Sequence, residues 1–129
     1  MIAQRDVLAL QELVRTGGLA PEVEAAVTAA VERIVAQEAW RLSISTAEKE
    51  LINKVLSGQV PRSAFMRLKE PIRRIAIDYF RSVAEAPASK DAAARAAARI
   101  LNTQRVQYLQ GTRNVPPQTF DEILRGITK

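Results

Sequence analysis

The chain has 129 residues, a formal net charge of +5, an apolar fraction of 47% and an aromatic share of only 5%. This length suits a single domain, 1–129, with a sizeable core made mostly of Leu, Ile, Val and Ala. The chain has no Cys and no His, which excludes disulfides, thiolate nucleophiles, thiolate or imidazole zinc sites and imidazole general bases.

Taken in chain order, Gln4 to Arg15 places Val7, Leu8, Leu10, Leu13 and Val14 at helical spacings, and Gly17-Gly18 ends that segment. Pro21 suits a first helical turn, and Val23, Val27, Ala30, Val31, Ile34 and Val35 carry a long helix to about Leu42. Ser45-Thr46-Ala47-Glu48 reads as a capping box for a helix running to Ser57, with Leu51, Ile52, Val55 and Leu56 inward and Gly58 as the stop. Pro61 can open the next helix, which carries Phe65, Met66 and Leu68, and Pro71 either kinks it or starts another.

Beyond Pro71, the positions Ile72, Ile75, Ala76, Tyr79, Phe80 and Val83 define one face of an amphipathic helix. Ala86 to Ser89 is a loop, Ser89 or Asp91 caps a helix that continues through Leu109, and Gly111 ends it. Asn114 to Pro117 is an extended linker, and Thr119 to Glu122 is a second capping box opening a short helix to Arg125 and Gly126. No segment alternates with a two-residue period, so the expected fold is all-α, a compact bundle of five to seven helices without a sheet.

Charge divides this bundle. Residues 1–60 carry six basic and eight acidic side chains, a net of −2; residues 61–129 carry thirteen and six, a net of +7. Nine arginines and two lysines lie from Arg62 to Arg113, against Glu70, Asp78, Glu85 and Asp91 alone. Arginine holds phosphate oxygens bidentately, so a surplus of this composition points to a phosphate backbone as partner. Arg67, Arg74 and Arg81 recur every seven residues and form one stripe if Pro71 only kinks its helix, with Lys69 and Arg73 beside them. Arg95 and Arg99 are one turn apart on the next helix, and Arg105 and Arg113 follow at other angles. These nine, Arg67, Lys69, Arg73, Arg74, Arg81, Arg95, Arg99, Arg105 and Arg113, are the candidate nucleic-acid contacts, on two neighbouring helices. The competing reading is a solvated face, with Asp78 or Glu70 pairing Arg74, Glu70 pairing Arg73, and Asp91 pairing Arg95.

Other patterns carry less. Glu50 to Leu68 has the layout of a helix-turn-helix, with Arg62, Ser63 and Arg67 positioned to reach bases, but any helical hairpin with a glycine turn meets that spacing. Tyr79, Phe80 and Tyr108 sit at core spacings, and Trp40 at a helix end is a core edge or an anchor on a partner. Glu22, Glu24, Glu32 and Glu38 give the long helix an acidic side that a neighbouring subunit could meet. No carboxylates are placed as an acid–base or metal pair and there is no glycine-rich phosphate loop, so no catalytic residue, metal or cofactor is expected. No window is long and apolar enough to span a membrane, and the start, Met1 to Asp6, has no apolar stretch of a secretory signal. With the missing cysteine, these features suggest a cytoplasmic protein.

The small size, all-helical character and Arg-rich second half, centred on Pro71-Ile72-Arg73-Arg74-Ile75-Ala76-Ile77-Asp78-Tyr79-Phe80, resemble the helical small subunits of CRISPR effector complexes, those related to the C-terminal part of type I large subunits. The likeness covers the last half of the chain and is one of character, since that family has no diagnostic motif. It implies a non-catalytic subunit present in several copies beside other protein subunits, contacting target or displaced DNA through backbone phosphates. Arg67, Arg73, Arg74, Arg81, Arg95 and Arg99 would then touch the strand. Two other expectations compete with it: an oligomeric structural or adaptor protein, such as a phage head–tail or packaging component, and a helix-turn-helix transcription regulator.

Overall fold

The computed structural model describes Leu8, Gln11 and residues 20–128. Among these the chain forms six helices and no strand, an all-α bundle: α1 (Pro21–Ser43), α2 (Thr46–Leu56), α3 (Arg62–Met66), α4 (Glu70–Glu85), α5 (Ala92–Gln110) and α6 (Phe120–Thr128). The expected helix over Gln4 to Arg15 and its glycine stop lie outside the described residues, except that Leu8 and Gln11 are helical.

Local chemistry sets most boundaries. The Ser45 hydroxyl accepts from the Glu48 amide at 3.1 Å, and the Glu48 carboxylate accepts from the Ser45 amide at 2.8 Å, which completes the capping box of α2. Asp91, not Ser89, caps α5, accepting from the Ala94 amide at 2.9 Å, while Ser89 accepts from the Asp91 amide. Thr119 and Glu122 exchange the bonds of the second box, and α6 runs two residues past the expected end at Gly126. Gly58 at φ +80° and Gly111 at φ +85° take the left-handed conformation that closes α2 and α5.

Pro71 begins a helix instead of kinking one. Lys69 is the extended N-cap of α4 and Pro71 lies in its first turn, so α3 stops at Met66 after five residues. Arg67 therefore sits at the end of α3 and leaves the stripe that Arg74 and Arg81 form on α4.

The apolar stripe of α4 organises the packing. Ala76 and Phe80 are buried, Ile72, Ile75, Tyr79 and Val83 half-buried, and α4 packs against both α1 and α5. The six-residue loop 86–91 returns α5 antiparallel to α4, bringing Tyr108, Leu109 and Gln110 back to the first turns of α4. The α2–α3 hairpin closes that end with Ile52, Val55, Leu56 and Phe65, all packed with Ala76, Phe80, Tyr108 and Leu109. At the other end of α5, a smaller cluster of Ala97, Leu101 and Ile123 seats α6.

One side chain joins the hairpin to α5. Arg62 Nε donates to the carbonyls of Tyr108 and Leu109 at 3.0 and 3.1 Å, and its Nη2 donates to Leu109 at 3.0 Å. These carbonyls end a helix, where that of Tyr108 also accepts from the Gly111 amide at 3.2 Å, and a cation there complements the helix dipole. Gly111 is packed so closely beneath the guanidinium that an added Cβ would lie 3.0 Å from Nη2.

Phe65→Ala should lower the free energy of urea unfolding by about 3–5 kcal/mol, because the side chain is fully buried, and Arg62→Met by about 1.5–3 kcal/mol through the lost charged hydrogen bonds. The Ser45 amide bonded to Glu48 holds that carboxyl below its usual range. A carboxylate depressed on folding stabilises the protein above its unfolded value and loses that contribution as pH falls through the folded value. Glu48→Gln should accordingly flatten part of the acid limb of the stability–pH curve followed by circular dichroism.

Candidate nucleic-acid interface

The nine candidate cations divide into those that hold the fold together and those that face solvent. Arg73 Nη1 donates to the Met66 carbonyl at 2.7 Å and closes the short α3 onto the first turn of α4. Arg95 Nη1 donates to the carbonyls of Lys90 and Ser89 at 2.7 and 3.4 Å, bracing the loop before α5, and Asp91 is left to its capping role. Arg113 donates to the carbonyls of Val115 and Pro116 within its own linker. Arg105 is half-buried, with its guanidinium 5.4 Å from the centre of the Phe80 ring and Nη1 donating to Asn102 at 3.0 Å. Burial pushes the Arg105 guanidinium below its ordinary pKa, and the phenol of Tyr79 acts in the opposite sense.

Five cations face water. Arg67 and Lys69 flank the α3–α4 turn and Arg99 lies on α5, each exposed and without a hydrogen bond or ion pair among the described residues, though Lys69 lies near enough to Glu48 to help lower its pKa. Arg74 pairs with Glu70, and Arg81 Nη1 lies 3.5 Å from Asp78 Oδ1. Asp78 thus pairs toward Arg81 and not toward Arg74, and Glu70 takes Arg74 and not Arg73. Exposed intrahelical pairs of this kind are worth about 0.2–1 kcal/mol, so they open readily for a stronger anion.

Arg73, Arg74 and Arg81 surround one shallow depression of about 290 Å³ with Glu70, Asp78, Ile77 and Gln110. The arrangement is a strip running from the α3–α4 turn along the outer side of α4. Over residues 67–81 it holds Arg67, Lys69, Arg73, Arg74 and Arg81 against Glu70 and Asp78, a net of +3, and the exposed Glu85 follows one turn beyond Arg81. From Glu70 to Arg81 the helix rises about 16 Å. Gln110 joins the depression through the antiparallel return of α5, a placement its sequence position alone did not signal. Of the α5 cations, Arg95 and Arg105 are turned to other partners and Arg99 faces solvent, so four of the five water-facing candidates lie on the turn and α4.

The aromatic residues are elsewhere engaged. Trp40 stacks on Tyr79 at 4.5 Å with the planes 8° apart, and both meet Phe80 edge to face. Lys49 Nζ lies 5.8 Å from the centre of the Trp40 ring, so Trp40 serves as a core edge. The helix-turn-helix layout is realised as α2, a tight turn and α3, but α3 has five residues, Phe65 is 1% exposed and Arg62 is turned onto α5. A groove of about 440 Å³ between α1 and α4 is lined by apolar Val31, Val35 and Ile75 and by charges of both signs, Glu32, Arg33 and Arg81 among them. On α1, Glu38 binds Arg41 at 2.8 Å, which lowers the Glu38 pKa and raises that of Arg41. No described helix is long and apolar enough to cross a membrane, and the described residues hold no cluster of three or more acidic side chains able to take a metal.

No protein-family model, curated protein or solved structure matches the chain.

The two classes of arginine should separate by stability. Arg73→Ala and Arg95→Ala should each cost about 1 kcal/mol in urea unfolding, since each removes a bond to main chain. Arg74→Ala and Arg81→Ala should stay within about 0.5 kcal/mol of the parent.

Proposed function

We propose that this protein is a non-catalytic helical subunit of a nucleoprotein assembly and that it binds the nucleic-acid backbone without sequence specificity. The observation that carries the reading is the net +3 strip of the α3–α4 turn and outer α4, where Arg67, Lys69, Arg74 and Arg81 face solvent. Phosphate oxygens replace the weak intrahelical partners of Arg74 and Arg81, and released counterions drive the association. The strip offers guanidinium and ammonium groups, the side chains that hold phosphate oxygens, so the contact proposed is with the backbone. The resemblance to CRISPR effector small subunits supplies a setting in which such a strip serves, beside other subunits of a guide complex in the cytoplasm. The five-residue α3 weighs against a helix-turn-helix regulator.

A second reading, an oligomeric structural or adaptor protein, draws on α1. Val35 and Leu42, two turns apart, are 52% and 68% exposed. Light scattering without nucleic acid tests it: a large ring or filament favours the adaptor, and a small species favours the nucleic-acid subunit.

For the leading reading, binding of a random-sequence oligonucleotide followed by fluorescence anisotropy should weaken with salt, with log K falling against log salt by about 2–3 for a net of three phosphate contacts. Arg74→Glu/Arg81→Glu, which turns the strip from +3 to −1, should reduce affinity more than about ten-fold at low salt and leave helicity unchanged. Unchanged binding in that variant refutes the strip as the site.

A further inference from the structure

We infer that the phosphate strip on α4 engages a double helix in preference to a single strand, an inference that rests on the proposed backbone binding. All six aromatic residues of the chain lie within the described segment, and their placement decides the matter. Phe65, Phe80 and Tyr108 are buried, and Tyr79 has one face against Trp40. Trp40 in turn stacks on Tyr79 and has the Lys49 ammonium 5.8 Å from its ring centre. Phe120 is partly exposed, at the first position of α6, which packs on α5 and not beside the α3–α4 turn.

Single-strand binders combine a basic groove with aromatic platforms, because stacked bases offset the cost of ordering a flexible chain. The strip offers charge on a straight helix without such a platform. A partner held by charge alone is favoured in proportion to its charge density. A duplex carries one phosphate per about 1.7 Å of axis, about twice the density of one strand, and releases about 0.9 counterion per contact against about 0.7. A duplex is also already rigid, so docking it orders little. Across three net contacts the difference in counterion release amounts to roughly five-fold at about 50 mM salt.

The test uses the full chain and three probes of equal length and arbitrary sequence: a DNA duplex, an RNA duplex and a single DNA strand, each titrated across a salt series. The expected result is at least one duplex bound about five-fold tighter than the single strand, with the steeper salt slope. The comparison of the DNA and RNA duplexes identifies the helix form. A single strand bound as tightly as both duplexes, or more tightly, overturns the inference while leaving backbone binding intact. Absence of binding to all three probes overturns backbone binding itself. Because the comparison is made on the unaltered protein, it does not depend on a variant that folds.

Discussion

The bundle depends on the apolar stripe of α4. Ala76 and Phe80 are inserted between α1 on one side and α5 on the other, and the α2–α3 hairpin closes over the same pair. A helix held between two others, with the buried cluster closed by a hairpin at one end, leaves one sector for solvent. That sector carries Arg74 and Arg81 together with the exposed Glu70, Pro71 and Glu85, while the stripe and its half-buried flanks take the remaining positions. The exposed cations and the buried core are thus two consequences of one periodicity, and neither can be shifted by a residue without disturbing the other.

Arginine plays two roles that composition does not distinguish. Arg62, Arg73, Arg95 and Arg113 each donate to main-chain carbonyls where helices end or loops turn. Carbonyls at such ends and turns have spare acceptor capacity, and the planar, permanently charged fork reaches two of them from Arg62, Arg95 and Arg113. A small protein with few aromatics and no disulfide gains rigidity this way at the ends of its helices. Of the remaining candidate cations, Arg67, Lys69, Arg74 and Arg81 gather at the α3–α4 turn and along α4, and Arg99 lies on α5.

Sequence alone resolves the features whose causes are local. The Ser45–Glu48 and Thr119–Glu122 boxes, the glycine stops at Gly58 and Gly111, and the α4 face all follow from contacts within a few residues along the chain. The all-α fold is legible for the same reason. Pro71 leaves two outcomes open, and the choice made by the fold, a new helix, removes Arg67 from the stripe of Arg74 and Arg81. Arg62 reaches across 46 residues to Tyr108, and Arg105 turns onto a ring of the preceding helix. Contacts of that range depend on how helices approach one another, which local periodicity does not encode. The water-facing candidates therefore concentrate on the α3–α4 turn and α4, with Arg99 on α5 apart from them in sequence, and Gln110 joins through the antiparallel return of α5.

The most direct test of the phosphate strip is to map it without altering it. In a ¹⁵N-labelled protein titrated with a short duplex, the arginine Nε–Hε signals of Arg74 and Arg81 and the amides of Arg67 and Lys69 should shift together. Signals from the engaged guanidinium groups of Arg62 and Arg113, and from α6, should stay in place. Shifts centred on α1 or α6 with the α4 signals unmoved would contradict the account.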